Sequence, residues 1–329
     1  MKINTIIKVF IAFLTIYLLS KYNFLDFNIL LTLNFSLSMK LLGLISLVIL
    51  LGSIKWYYLL KVQNNSISFK DTFESYYLGY ALNYVLFGVA GDIIKTIHII
   101  KKNDNKIGIT MSVVIDRVIG LFSMLIILLA FLPQILSKNE VFINHSFIDS
   151  INLNIYYFLF SIFFIIFVIF IKKCLNSRRI NKAILLFLYK YKNRFIKLIA
   201  KTLKILFTYR KSSKNLLANL FIAIVVQIII GYSIYVISLD ILSQYPSFFN
   251  NLISSIAVQI ISVIPISPGN IGIGEAAFSQ IMYLLNNNIL LQYASVYFIF
   301  RIFNMLYSVP GVIIYYALLK TTLKTNEFK

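Results

Sequence analysis

The stretch Ile264-Pro265-Ile266-Ser267-Pro268-Gly269-Asn270-Ile271-Gly272-Ile273-Gly274-Glu275 limits what this chain can fold into more than any other. It interrupts an apolar run from Leu252 to Leu285 with Pro265, Pro268, Gly269, Gly272 and Gly274, and no helix continues through such a set. Of the 329 residues, 60% are hydrophobic and 13% are charged, so the surroundings of the break are hydrocarbon rather than water. In hydrocarbon, broken backbone persists only where protein packs on it or where it lines a polar cavity. A carboxylate, Glu275, closes the stretch. The sequence therefore predicts a site inside a membrane.

The expected fold is an all-α polytopic membrane protein, a single membrane domain over residues 1–329. One cysteine, Cys174, excludes an intrachain disulfide framework. The N-terminal apolar stretch lacks a small-residue cleavage site before Lys21 and is expected to stay as a first span. Spans are expected near 3–19, 41–60, 111–132, 153–171, 216–239 and 292–319, the last kinked at Pro310-Gly311. Between them lie two weaker segments, 72–90 and 252–285.

The net charge of +20 is concentrated in Lys172–Lys214, and the remainder is near +6 by subtraction. Such a block beside membrane spans is a positive-inside signal and a contact for anionic lipid. Its apolar residues recur at near-helical spacing, as in an amphipathic helix on the membrane surface; a solvated connector fits equally well. No nucleic-acid partner is expected. With this block in the cytoplasm of a cell-membrane protein, the lysines elsewhere fall on a consistent side only if both weaker segments enter and leave by one face. Both termini are then cytoplasmic. The expected layout is about six full spans plus two re-entrant helical hairpins.

The two halves share a pattern. Gly91-Asp92 precedes Arg117 by twenty-five residues, and Gly274-Glu275 precedes Arg301 by twenty-six. Arg117 and Arg301 are the only arginines outside the basic block. Half-repeats near 72–132 and 250–319 would have opposite orientation, the arrangement of an inverted-repeat transporter with its site at the midplane.

Each arginine at mid-depth costs about 2.5–3.5 kcal/mol and needs a compensating role. One reading is a guanidinium fork for a lipid phosphate. The other is an ion pair, Arg117 with Asp92 or Arg301 with Glu275, locking each hairpin. Asp116 is expected to pair with Lys95 or Lys106. Gly272 and Gly274 are expected to free backbone N–H groups for an anion at the following helix N-terminus. Glu275 either caps that helix, switches its pairing with Arg301 or takes up a proton. Lys95 either brings a headgroup to the vestibule or is a surface lysine. Asn83 and Gln259 are candidates for lining a polar path. Gly91, Pro265, Pro268 and Gly269 are the expected helix breaks. No cluster has metal-ligand spacing, and no cofactor is expected.

The segments 88–95, Asp116-Arg117-Val118-Ile119-Gly120-Leu121 and 265–275 resemble the transmembrane flippase region of lysylphosphatidylglycerol synthases, whose stand-alone members are called flippase-like or UPF0104 membrane proteins. The resemblance covers nearly the whole chain and implies translocation of charged phospholipids, or of glycolipid or polyprenyl-linked substrates, between leaflets. Lys95 stands where Arg is more usual, and Asn270 and Gly274 stand where the family often has Gly and Arg. No aminoacyltransferase domain follows Lys329 in this sequence, so synthesis of the aminoacyl lipid is not expected of it. The expected activity is leaflet exchange of a phospholipid or other lipid-phosphate, not enzymatic turnover, with membrane phospholipids as partners. The alternatives are a non-transporting partner of a separate lipid synthetase or glycosyltransferase, and an intramembrane lipid-phosphate enzyme. A homo-oligomer stays open.

Overall fold

A computed structural model describes residues 2–31, 33–63, 66–85, 90–103, 105–138, 209, 212–242, 246–263, 266–286 and 292–327. Among these, all regular structure is helical: α1 (Lys2–Lys21), α2 (Phe35–Val62), α3 (Phe69–Val85), α4 (Ala90–Ile100), α5 (Lys106–Lys138), α6 (Ser213–Ile241), α7 (Phe248–Ile261), α8 (Ile273–Asn286) and α9 (Tyr293–Glu327), with short 3-10 turns at Asn28–Leu31 and Pro268–Asn270. The expected span near 153–171 and nearly all of the basic block lie outside the described residues.

Local sequence explains the starts. Asn34 accepts from the Ser36 N–H ahead of α2, Asn105 from the Gly108 N–H ahead of α5, and Ser247 from the Asn250 N–H ahead of α7. Each side-chain oxygen satisfies an amide that has no intrahelical acceptor. α9 runs through Pro310 as one helix.

Among the described residues, four helices are long and apolar enough to cross a membrane, in α2, α5, α6 and α9. The broken segments are different. α7 and α8 have 14 residues each, α3 has 17 and α4 has 11. At 1.5 Å per residue even α3 falls short of the roughly 30 Å hydrocarbon core. The described residues therefore include two pairs of short helices, α3–α4 and α7–α8, among longer ones.

The chain forms two compact units. The first comprises Met1–Ile54, Lys70–His98 and Val225–Lys329. Its core gathers Leu41, Ile45 and Ile49 of α2, Ile234 and Ile237 of α6, Phe278 and Met282 of α8, and Val296, Phe300 and Phe303 of α9. α8 packs on α7, on α9 and on α1. Lipid tails are as apolar as these side chains, so close packing rather than water exclusion holds the helices together. α3 and α4 approach most closely: a Cβ built on Gly91 would lie 2.0 Å from the Gly79 carbonyl oxygen. The second unit comprises Lys55–Phe69 and Ile99–Ile224. There Leu59, Val62, Ile119, Tyr209 and Ala223 form a core, and Tyr209 donates to the Leu59 carbonyl at 3.0 Å.

This close approach sets the first prediction. Gly91→Ala should lower stability by about 1–3 kcal/mol through overpacking, whereas Gly43→Ala, with nothing within 4 Å of its new Cβ, should be neutral or gain up to about 1 kcal/mol of helix propensity. Thermal unfolding of the detergent-solubilised variants compares the two.

Candidate functional site

The second break is a built structure. Pro268–Asn270 make a single 3-10 turn, with Gly269 at φ 55°, Asn270 at φ 54° and Gly272 at φ 82°. Asparagine is among the few side chains that tolerate the left-handed region, so Asn270 serves where glycine also would. Its amide donates to the Ser262 carbonyl at the end of α7 at 2.8 Å, tying the turn to the helix it leaves. Pro265 lies outside the described residues.

Glu275 follows, fully buried in the first turn of α8. Its Oε2 accepts from the Gly272 N–H at 2.7 Å, while the Gly272 carbonyl accepts from the Ala276 N–H. Gly272 is thus the N-cap and Glu275 the third helical residue, which reaches back as in a capping box. Its other oxygen, Oε1, lies 2.7 Å from Arg301 Nε on α9. Two readings that the sequence left open therefore hold together: Glu275 caps its helix and also pairs with Arg301. The expected free N–H of Gly272 is corrected, because the helix's own carboxylate occupies it.

Arg301 is 6% exposed, and every edge of its guanidinium is placed. Nε faces Glu275, Nη1 donates to the Gly269 carbonyl, and the group lies over the Tyr297 ring at 5.5 Å. Nη2 faces Gly274, where an added Cβ would lie 2.3 Å away. The absence of a side chain at Gly274 is therefore what admits the arginine. The turn is closed from the other side by α1, since a Cβ on Gly272 would meet Thr15 Oγ1 at 1.8 Å.

The first broken segment carries a second buried pair. Lys95 Nζ lies 3.0 Å from Asp92 Oδ1, with the two side chains 5% and 6% exposed. The lysine also lies over the Tyr76 ring at 5.2 Å. Lys95 is thus no surface lysine. Gly91, expected as the break, lies instead in the first turn of α4, where its N–H donates to Asn83 Oδ1 at 3.0 Å. Asn83 supplies the acceptor that a helix start lacks, so the helix begins before the glycine. Asp116 also departs from expectation: it pairs with Lys55 of α2 at 3.0 Å. Lys55 sits one residue before Trp56, inside an apolar helix, and that position was the signal for it.

Arg117 and Arg301 are not equivalents in the structure. Arg301 is buried at the break, whereas Arg117 is exposed on α5 beside Val114, Val118 and Leu121. The buried base of the first broken segment is Lys95.

The turn of the second broken segment lies against the end of α3. A Cβ on Gly269 would lie 3.1 Å from the Tyr84 carbonyl oxygen, near the end of α3. Behind this contact, α3 and α9 share a polar ladder. Tyr77 donates to the Tyr307 carbonyl at 2.7 Å, Tyr80 donates to Asn304 Oδ1 at 2.6 Å, and Tyr84 lies within electrostatic reach of Arg301. Positions 77, 80 and 84 share one helical face, as do 301, 304 and 307. Gln259, the other polar-path candidate, donates to Gln227 of α6 at 2.9 Å.

Residues 5–311 match the family model described as the lysylphosphatidylglycerol synthase TM region. The chain belongs to that family. It matches no curated protein and no solved structure. Both buried pairs, Asp92–Lys95 and Glu275–Arg301, and the Tyr84–Gly269 contact fall within the matched residues. In this member of the lysylphosphatidylglycerol synthase TM family, the segment Gly272-Ile273-Gly274-Glu275 ends in a carboxylate that serves a helix cap and a buried arginine at once.

Breaking a buried pair strands a charge. Glu275→Ala should cost about 3–5 kcal/mol, and the double variant Glu275→Ala/Arg301→Met should recover most of that loss. A double-mutant cycle on thermal unfolding measures the coupling.

Proposed function

We propose that this protein moves a phospholipid or another lipid-phosphate between the two leaflets of the cell membrane, without covalent chemistry. The observation that carries this reading is the buried Arg301–Glu275 pair at a helix break, with the end of α3 set against the turn there. A mid-membrane guanidinium held by an internal carboxylate is a phosphate site in its resting state. An incoming phosphate would take the guanidinium fork and release Glu275 to its cap.

In this reading the short helices α3–α4 and α7–α8 are re-entrant hairpins of an inverted repeat, entering from opposite faces, with both termini cytoplasmic. Their lengths and the contact of Gly269 with the end of α3 support it. Acyl chains stay in lipid while the headgroup passes the break. Arg117, on the outer face of α5, is a first contact for headgroups, and Asp92–Lys95 is the counterpart of the Glu275–Arg301 pair.

Reconstitution tests the proposal. In vesicles with acyl-labelled phospholipid, the protein should speed leaflet exchange. Arg301→Lys keeps the charge and loses the fork, so exchange should fall by about tenfold or more at a temperature where its elution profile shows it still folded. Glu275→Ala should also lose exchange. Unchanged rates in both variants would sink the mechanism.

A further inference from the structure

We propose that the headgroup accepted at the Arg301–Glu275 site is a zwitterion carrying one phosphate and one primary ammonium, the chemistry of phosphatidylethanolamine. This deepens the leaflet-exchange reading and rests on it.

The argument starts from the charge count at the break. Arg301 and Glu275 are both buried and face each other at 2.7 Å, so the site is neutral as it stands. The remaining partners of Arg301 are a carbonyl and an aromatic ring, and that of Glu275 is a backbone amide. None of these adds a formal charge. A headgroup of net charge −1 that took the guanidinium would leave Glu275 with only the Gly272 amide, and the site would hold one unpaired negative charge. A headgroup of net charge +1 would leave the opposite surplus. Stranded charge in a desolvated site is the costly outcome.

A zwitterion avoids both. Its phosphate takes the Nε edge of Arg301 in place of Glu275 Oε1, which now sits there. Its ammonium takes Oε1 of Glu275. One internal ion pair becomes two pairs with the lipid, no covalent bond changes and no proton moves. Oε2 keeps its hydrogen bond to Gly272, so α8 stays capped throughout. The ammonium must have N–H donors to replace those of Arg301, which sets a primary amine above a quaternary one.

The test uses purified full-length protein in vesicles carrying the same acyl-chain label on four lipids: phosphatidylethanolamine, phosphatidylcholine, phosphatidylglycerol and lysyl-phosphatidylglycerol. The ethanolamine lipid should exchange at least about tenfold faster than each of the others. Glu275→Gln keeps an acceptor for the Gly272 amide and removes the charge, so it should reverse the order in favour of phosphatidylglycerol. Free labelled phosphoethanolamine trapped in the same vesicles should stay inside; its release at the rate of lipid exchange would overturn the assignment to a lipid. Exchange of phosphatidylglycerol, phosphatidylcholine or lysyl-phosphatidylglycerol as fast as phosphatidylethanolamine would overturn the zwitterion inference while leaving lipid movement intact. So would an unchanged order in Glu275→Gln. No accelerated exchange of any lipid would overturn both this inference and the function it rests on.

Discussion

Broken backbone in a medium without water must find its hydrogen-bond partners inside the protein, and the second break shows how that obligation organises its neighbourhood. The Gly269 carbonyl is taken by Arg301, the Gly272 amide by Glu275, and the Ser262 carbonyl by Asn270. Two of these three partners are charged. Their charges cancel only because α9 and α8 lie side by side with Arg301 at the level of the α8 cap. Removing the break would remove the reason for burying either charge.

The same logic recurs in smaller form at the first broken segment, with different residues. There the helix start is served by an asparagine, and the carboxylate turns to a lysine one turn along its own helix. A pair three residues apart on one helix needs no second element to hold it. The pair at the second break joins two helices, α8 and α9. The two segments thus place similar charge at similar depth in sequence, and only one ties its charge to a neighbouring helix.

Much of this was legible in the sequence. Prolines and glycines in an apolar run located the second break, and a pair of Glu275 with Arg301 was one of the two readings open for that arginine. The first segment was harder, because its Gly91-Asp92 pair invited comparison with Gly274-Glu275 and drew attention to Arg117. Lys95 was the nearer base, and its burial follows from packing against Tyr76 and Gly79, which spacing does not reveal. Lys55 was missed for a similar reason: a lysine near an aromatic belt reads as an interfacial anchor until its partner on another helix is seen. The ladder bonds of Tyr77 and Tyr80 to α9 were invisible among 22 tyrosines, since abundance in a membrane sequence hides the few that bond between helices.

That ladder bears on how such a protein keeps a membrane sealed. Tyr84 ends it, and the carbonyl of Tyr84 rests on Gly269. The hydroxyls behind it fasten α3 to α9, and α9 carries the arginine that holds the turn containing Gly269. Under the proposed topology one hairpin comes from each side, so the barrier at the centre is a stopper made of two halves that share a single fastening. Loosening one half loads the other through α9. If a headgroup draws Arg301 aside as proposed, the two hydroxyl bonds from α3 to α9 are what would still hold the first half in place.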